Sequence, residues 1–225
     1  MKAIENPQTL APACTQRRRL LVLGTASAAM LDAPAWARAS LPPMTDGPFY
    51  PPPRWRGTAA DWDADLTRVR RGSQTLVAQG EHLALELRVV DGAGKAIDRV
   101  EFEIWQCDSA ALYRHPRFED SDSRADKGFQ GFGAAYTNAT GEARFRTIKP
   151  VPYAGRTPHI HVKLRHPAFR ELSSQLFVAG APGNTRDFIW RQLGAPERAA
   201  VDMILKPARG DGLSWQTQHT LVVQT

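Results

Sequence analysis

Hydrophobic and polar positions alternate along residues 82–90, with Leu83, Leu85, Leu87 and Val89 on one parity and Ala84, Glu86, Arg88 and Val90 on the other. Side chains of an extended strand point alternately to opposite faces, so this pattern predicts a half-buried strand. A turn follows at Asp91-Gly92-Ala93-Gly94-Lys95. Residues 100–107 (VEFEIWQC) are apolar enough on both parities to predict a central strand. Residues 134–137 and 142–148 flank Asn138-Ala139-Thr140-Gly141, which predicts a hairpin. Further strands are expected over 159–164, 172–178 and 214–223. Residues 187–193 and 196–205 predict short helices, the second with Pro196 in its first turn. Seven or eight short strands with little helix predict an all-β chain, an antiparallel β-sandwich with long loops and one or two short helices. Residues 108–133 form a loop too long for a plain connection, and 45–53 (TDGPFYPPP) is too proline-rich for regular structure. The latter predicts an extended arm that carries Phe49 and Tyr50.

The first 39 residues do not fit that pattern. Gln16-Arg17-Arg18-Arg19 precedes an apolar run, 20–31, too short to span a membrane, and small residues follow at Ala35-Trp36-Ala37 and Ala37-Arg38-Ala39. This predicts a signal peptide over 1–39, with a mature domain over 40–225. The paired arginines before a weakly hydrophobic, alanine-rich core predict the twin-arginine type, which exports folded proteins to the periplasm or beyond. The leader holds five basic and two acidic residues, so its removal lowers the formal net charge from +6 to +3. The mature chain has no basic tract and no nucleic-acid motif, and nothing in it predicts stable membrane insertion. Of the two cysteines, Cys14 leaves with the leader. Cys107 remains alone in a strand-like run with no adjacent base, which predicts a buried, inert thiol rather than a nucleophile.

Candidate chemistry concentrates at residues 146–164 (RTIKPVPYAGRTPHIHVKL). On a strand His159 and His161 point one way while Ile160, Val162 and Leu164 point the other. Two histidines so spaced are either half of a metal site or a satisfied polar face. Tyrosine shifts the balance, because a phenolate is a hard anionic oxygen ligand that, with imidazoles, suits iron(III) better than zinc or copper(I). Of four tyrosines, Tyr113 and Tyr153 stand in loops with no evident packing role.

Four segments together carry a family resemblance: Thr45-Asp46-Gly47-Pro48-Phe49-Tyr50-Pro51; Glu103-Ile104-Trp105-Gln106-Cys107-Asp108 leading to Leu112-Tyr113-Arg114-His115; Phe145 through Tyr153; and Arg156-Thr157-Pro158-His159-Ile160-His161. In this order and spacing the chain resembles the intradiol ring-cleavage dioxygenases, and most of all their protocatechuate 3,4-dioxygenase branch. The resemblance implies a prealbumin/transthyretin-like sandwich with one non-haem Fe(3+) held by Tyr113, Tyr153, His159 and His161. It implies cleavage of a catechol by O2 between the two hydroxyl-bearing carbons, giving a cis,cis-muconate-type diacid. Tyr113 would stay bound and Tyr153 would be displaced by substrate. Arg156 would face the substrate ring, Gln175 would act as a hydrogen-bonding neighbour, and Tyr50 would line the pocket. A homo-oligomer is compatible with this reading. His82, His115, His166 and His219 match no ligand position.

The chain departs from the branch between Tyr153 and Arg156, where only Ala154-Gly155 stand in place of a longer, tryptophan-containing segment. The wall of the pocket is therefore expected to differ. It also lacks the helical amino-terminal segment of catechol 1,2-dioxygenases. Two other readings use the same residues: a non-catalytic transthyretin-like binding domain, and a zinc or copper enzyme with the same four ligands.

Overall fold

The structure is a computed structural model that describes residues 39–55, 62–116 and 124–225. The expected leader lies outside the described residues, as does the acidic middle of the 108–133 loop. No helix among the described residues is long and apolar enough to cross a membrane.

The chain is all-β. A short hairpin of β1 (Arg68–Arg71) and β2 (Gln74–Val77) precedes two larger sheets. In the first sheet β3 (His82–Asp91) lies between β6 (Glu142–Ile148) and β11 (Trp215–Val223), and β10 (Lys206–Pro207) flanks β11. The second sheet runs β5 (Phe132–Tyr136), β4 (Glu101–Trp105), β7 (His159–His166), β8 (Phe169–Val178) and β9 (Asp202–Met203). The alternation of β3 is realised: Leu83, Leu85, Leu87 and Val89 are buried, and they share one core with Phe145, Leu221, Phe102, Ile104, Ile160, Val162, Leu164 and Leu176. The rings of Phe102 and Phe145, one from each sheet, lie 5.8 Å apart. The two sheets therefore face each other across a common apolar layer.

Three expectations are corrected. The sheets are mixed rather than purely antiparallel, because β11 runs parallel to β3 and β9 parallel to β8. Segments 134–137 and 142–148 do not pair as a hairpin: β5 pairs with β4 and β6 with β3. The strands β4 and β3 claim the two flanks, and Asn138 closes the turn between them. Its side-chain oxygen accepts the N–H groups of Thr140 and Glu142, and Gly141 at φ 77° completes a turn that passes the chain from one sheet to the other. Finally, residues 184–193 form two 3-10 turns, Asn184–Arg186 and Trp190–Gln192, and the helix α1 spans Ala195–Val201 only. It stops there because Asp202 and Met203 enter the sheet beside β8.

Candidate functional site

The outer face of β7 carries His159, His161, Lys163 and Arg165, away from the shared core. His159, His161 and Lys163 are nevertheless as buried as the core residues between them. The proline-rich arm covers them. Met44 N–H bonds to Ser173 O on the neighbouring strand, and Asp46 meets the Lys163 ammonium at 2.6 Å. A Cβ on Gly47 would stand 3.5 Å from Cε1 of His161. Lys163 is also 3.3 Å from Glu171 and 4.2 Å from the Tyr50 ring centre.

Tyr113 is delivered by the turn that leaves β4. Asp108 accepts the N–H groups of Ala110 and Leu112 on one oxygen and that of Asp126 on the other, with Ala111 in the left-handed region at φ 66°. Tyr153 and Arg156 close a two-residue turn by exchanging both backbone hydrogen bonds, 3.2 and 2.6 Å long. Ala154 and Gly155 between them have φ 41° and 80°, the geometry of a type I′ turn. The short connection thus locks Tyr153 in register with Arg156.

These elements bring the four expected ligands together. The phenol oxygens of Tyr113 and Tyr153 are 3.3 Å apart. Ring centres are separated by 5.2 Å for Tyr113 and Tyr153, 5.4 Å for Tyr153 and His159, 4.9 Å for His159 and His161, and 6.1 Å for His161 and Tyr113. Each side chain neighbours two others, so the set closes into a ring. Nδ1 of His159 lies 2.7 Å from Thr157 O. A carbonyl only accepts, so Nδ1 carries the proton and Nε2 keeps its lone pair. That Nε2, and Nδ1 of His161, are buried with no hydrogen-bond partner among the described residues.

Electrostatics keep the group neutral. Burial, then the Arg156 charge, pushes His159 down to about 4, and burial with His159 as neighbour takes His161 well below its usual range. Burial raises the Tyr113 phenol well above its ordinary value, helped by Tyr153, and burial also raises Tyr153. Two neutral imidazoles and two phenols, with unpartnered nitrogens aside from the bond that fixes one tautomer, form a donor set that fits a hard trivalent cation. Among the described residues no cluster of three or more His, Cys, Asp or Glu is arranged to hold a metal.

Arg156 and Gln175 join this group. Arg156 Nη2 donates to Gln175 Oε1 at 2.6 Å and Nε donates to Asp187 Oδ2 at 2.8 Å. Tyr50 is placed one ring further out. Its hydroxyl donates to Glu103 at 2.7 Å and accepts from Arg165 at 3.0 Å, and its ring meets Trp105 edge-on at 4.9 Å. Trp105 in turn lies flat on His161, with centres 4.8 Å apart and planes 11° from parallel. Tyr50 therefore reaches the site through Trp105. Cys107 is buried, and burial pushes its thiol up to about 12, in keeping with an inert role. His82, His166 and His219 bond to the backbone at Ala78, Ala168 and Ala200, away from the four ligands.

Sequence reasoning did not assign Phe49, Trp105 or Asp187 to the site. Phe49 stacks on Tyr113 with centres 4.7 Å apart. The signal for Trp105 is the register of β4 against β7, which pairs it with His161. Spacing carries no signal for Asp187.

The family model described as Dioxygenase matches residues 46–206, the span that contains every one of these side chains. The chain belongs to the intradiol ring-cleavage dioxygenase family. This family member is 35% identical over 152 residues to the protocatechuate 3,4-dioxygenase beta chain of Burkholderia cepacia, covering 63% of this chain and 62% of that one. It is 30% identical over 123 residues to the hydroxyquinol 1,2-dioxygenase of Corynebacterium glutamicum, covering 47% of this chain and 38% of that protein. The chain thus matches less than two thirds of the length of these relatives. Among solved structures, the dioxygenase domain of a dioxygenase and carbohydrate-binding protein fusion from Streptomyces sp. SirexAA-E aligns with a TM-score of 0.60 at 26% identity. That alignment covers 83% of this chain and 99% of the Streptomyces domain.

Proposed function

We propose that this chain is an exported, iron(III)-dependent intradiol dioxygenase. It cleaves a catechol-type ring between its two hydroxyl-bearing carbons with O2 and yields a cis,cis-muconate-type dicarboxylic acid. The observation that carries this reading is the closed ring of Tyr113, Tyr153, His159 and His161 with its buried, unpartnered imidazole nitrogens. A fold of the prealbumin/transthyretin sandwich kind, export through the leader over 1–39, and assembly as a homo-oligomer belong to the same reading.

When bound, iron(III) supplies a chelation point for both catechol oxygens and activates the ring toward O2. The chain's own residues divide the remaining work. Tyr113 is 5% exposed and stacked under Phe49, so it is the phenol that stays. Tyr153 is only half-buried, on a turn at the surface, and would be the phenol that gives way to substrate. Burial raises its phenol pKa, so once free its oxygen would hold a proton taken from the incoming catechol. His159 and His161 stay neutral donors. Arg156 holds a positive charge where negative charge develops on the ring, and Gln175 fixes its guanidinium.

The experiment is an oxygen-uptake assay of the iron-loaded protein with catechol, protocatechuate and hydroxyquinol. One O2 consumed per ring-opened diacid formed is the expected result. No uptake with any of the three contradicts the proposal.

A further inference from the structure

Asp187 has no solvent-exposed surface and stands 31 residues beyond Arg156 in the chain. Its carboxylate accepts four hydrogen bonds. Oδ1 takes the N–H groups of Ile189 and Trp190, at 2.9 and 3.1 Å. Oδ2 takes Nε of Arg156 at 2.8 Å and the N–H of Thr157 at 2.9 Å. The first pair belongs to the turn around Asp187 itself. The second pair reaches into the site.

Both contacts of Oδ2 lead to groups already described. Arg156 has Nε on Asp187 and Nη2 on Gln175, which leaves Nη1 as the guanidinium nitrogen without a partner among the described residues. A planar guanidinium pinned on two edges has no remaining freedom to turn. Thr157 is held at its N–H by Asp187 and at its hydroxyl by Asn184, at 2.7 Å, and its carbonyl receives the Nδ1 proton of His159. The approach is close: a Cβ on Gly183 would come within 2.9 Å of the Thr157 hydroxyl oxygen. One carboxylate oxygen thus sits behind the arginine on one side and behind the carbonyl that orients a ligand histidine on the other.

We propose that Asp187 is the positioning residue of this site, fixing through a single oxygen both the aim of the Arg156 guanidinium and the tautomer and orientation of His159. It touches neither substrate nor metal. The proposal rests on the function given above for the assignment of Arg156, whereas the effect on His159 stands without it. A carboxylate that only stapled the 184–190 turn would need the Oδ1 contacts alone.

Asp187→Asn keeps the shape, removes the negative charge behind Arg156 and leaves one acceptor oxygen for two donor pairs, so an N–H2 that cannot accept faces one of them. Two readouts are expected to move. In the metal-free protein, nitrogen NMR should show His159 leaving its single Nδ1-protonated form for a tautomer mixture while His161 is unchanged. In the iron-loaded protein acting on catechol, kcat should fall by about 10-fold or more with KM within about twofold, because a misaimed charge is felt in the transition state. Asp187→Glu keeps the charge but moves the carboxylate by one methylene, and it carries the test if the Asn variant does not fold. Its kcat should also fall, with His159 still protonated at Nδ1. Thr185→Gly loosens the same turn at an exposed position, without touching the carboxylate or Thr157, and should leave kcat near wild type. An unchanged His159 tautomer in Asp187→Asn, wild-type kcat in either Asp187 variant, or a Thr185→Gly loss as large as theirs overturns the proposal. If the wild-type protein consumes no O2, the function itself fails, and the His159 tautomer alone decides the role of Asp187.

Discussion

The phenol oxygens of Tyr113 and Tyr153 stand 3.3 Å apart, although the residues are 40 positions apart in the chain and belong to separate loops. Two phenols this close, both with raised pKa, are protonated near neutrality in the metal-free protein. They bind a cation well only by giving up those protons.

Metal affinity should therefore climb with pH. Each phenol that ligates as phenolate contributes about tenfold in apparent affinity per pH unit below its own pKa. Competition against a chelator between pH 6 and 8, corrected for the chelator's titration, reads this slope. Tyr113→Phe should lower the slope by about one proton. A flat profile contradicts phenolate ligation.

The histidines make the opposite demand on the metal-free fold. His159 is pushed down to about 4 and His161 well below its usual range, against an ordinary value of 6.5. Between 6.5 and 4 the unfolded chain binds protons that the folded chain refuses, so stability present above pH 6.5 is lost as pH falls through this window. Urea unfolding of the metal-free protein from pH 7.5 to 4.5 should show the decline, and His159→Gln should flatten it. Stability that rises on acidification contradicts the assignment of neutral, buried imidazoles.

The arm over the site depends on Lys163, whose side chain is 6% exposed and bonded to Asp46. Lys163→Met should leave Asp46 without its partner and cost about 2 kcal/mol, less than breaking a fully buried pair because Asp46 is partly solvated. Chemical denaturation measures the loss. Limited proteolysis should then cut within residues 45–50, where the wild-type arm resists. An uncut arm in the variant would show that Phe49 and Gly47 hold it without the ion pair.

The turn between Tyr153 and Arg156 stores local strain at Ala154, a non-glycine residue at φ 41°. Ala154→Asn puts a residue that tolerates this region into an Asn-Gly type I′ turn, and it should raise stability by about 0.5–1 kcal/mol. Thermal unfolding reads the gain. A loss of stability would mean that the turn is set by something other than its backbone conformation.

Much of the fold is legible where a residue's environment is set by its neighbours along the chain. The parity of Leu83 to Val89 gives β3 and its buried face, and His159 with His161 gives a shared face on β7. What depends on pairing between distant segments is not. Asn138 to Gly141 has hairpin chemistry, yet whether its flanks pair or part is decided by β3 and β4, which claim β6 and β5 as partners. The parallel placement of β11 beside β3 leaves no trace in alternation, because a half-buried strand has the same pattern in either direction. The four expected ligands are legible only through a resemblance spread over four segments. Asp187 was missed because its contacts to Arg156 and Thr157 arise from a turn folding back 30 residues later, and an acidic residue before an aromatic one carries no local signal.

The central claim, that Tyr113, Tyr153, His159 and His161 hold iron(III) for catechol cleavage, is tested most directly by visible spectroscopy of the iron-loaded protein under anaerobic conditions. A broad tyrosinate-to-iron(III) charge-transfer band is predicted, shifting when catechol is added and largely lost in Tyr113→Phe. A colourless protein carrying stoichiometric zinc, or a band that Tyr113→Phe leaves unchanged, would contradict it.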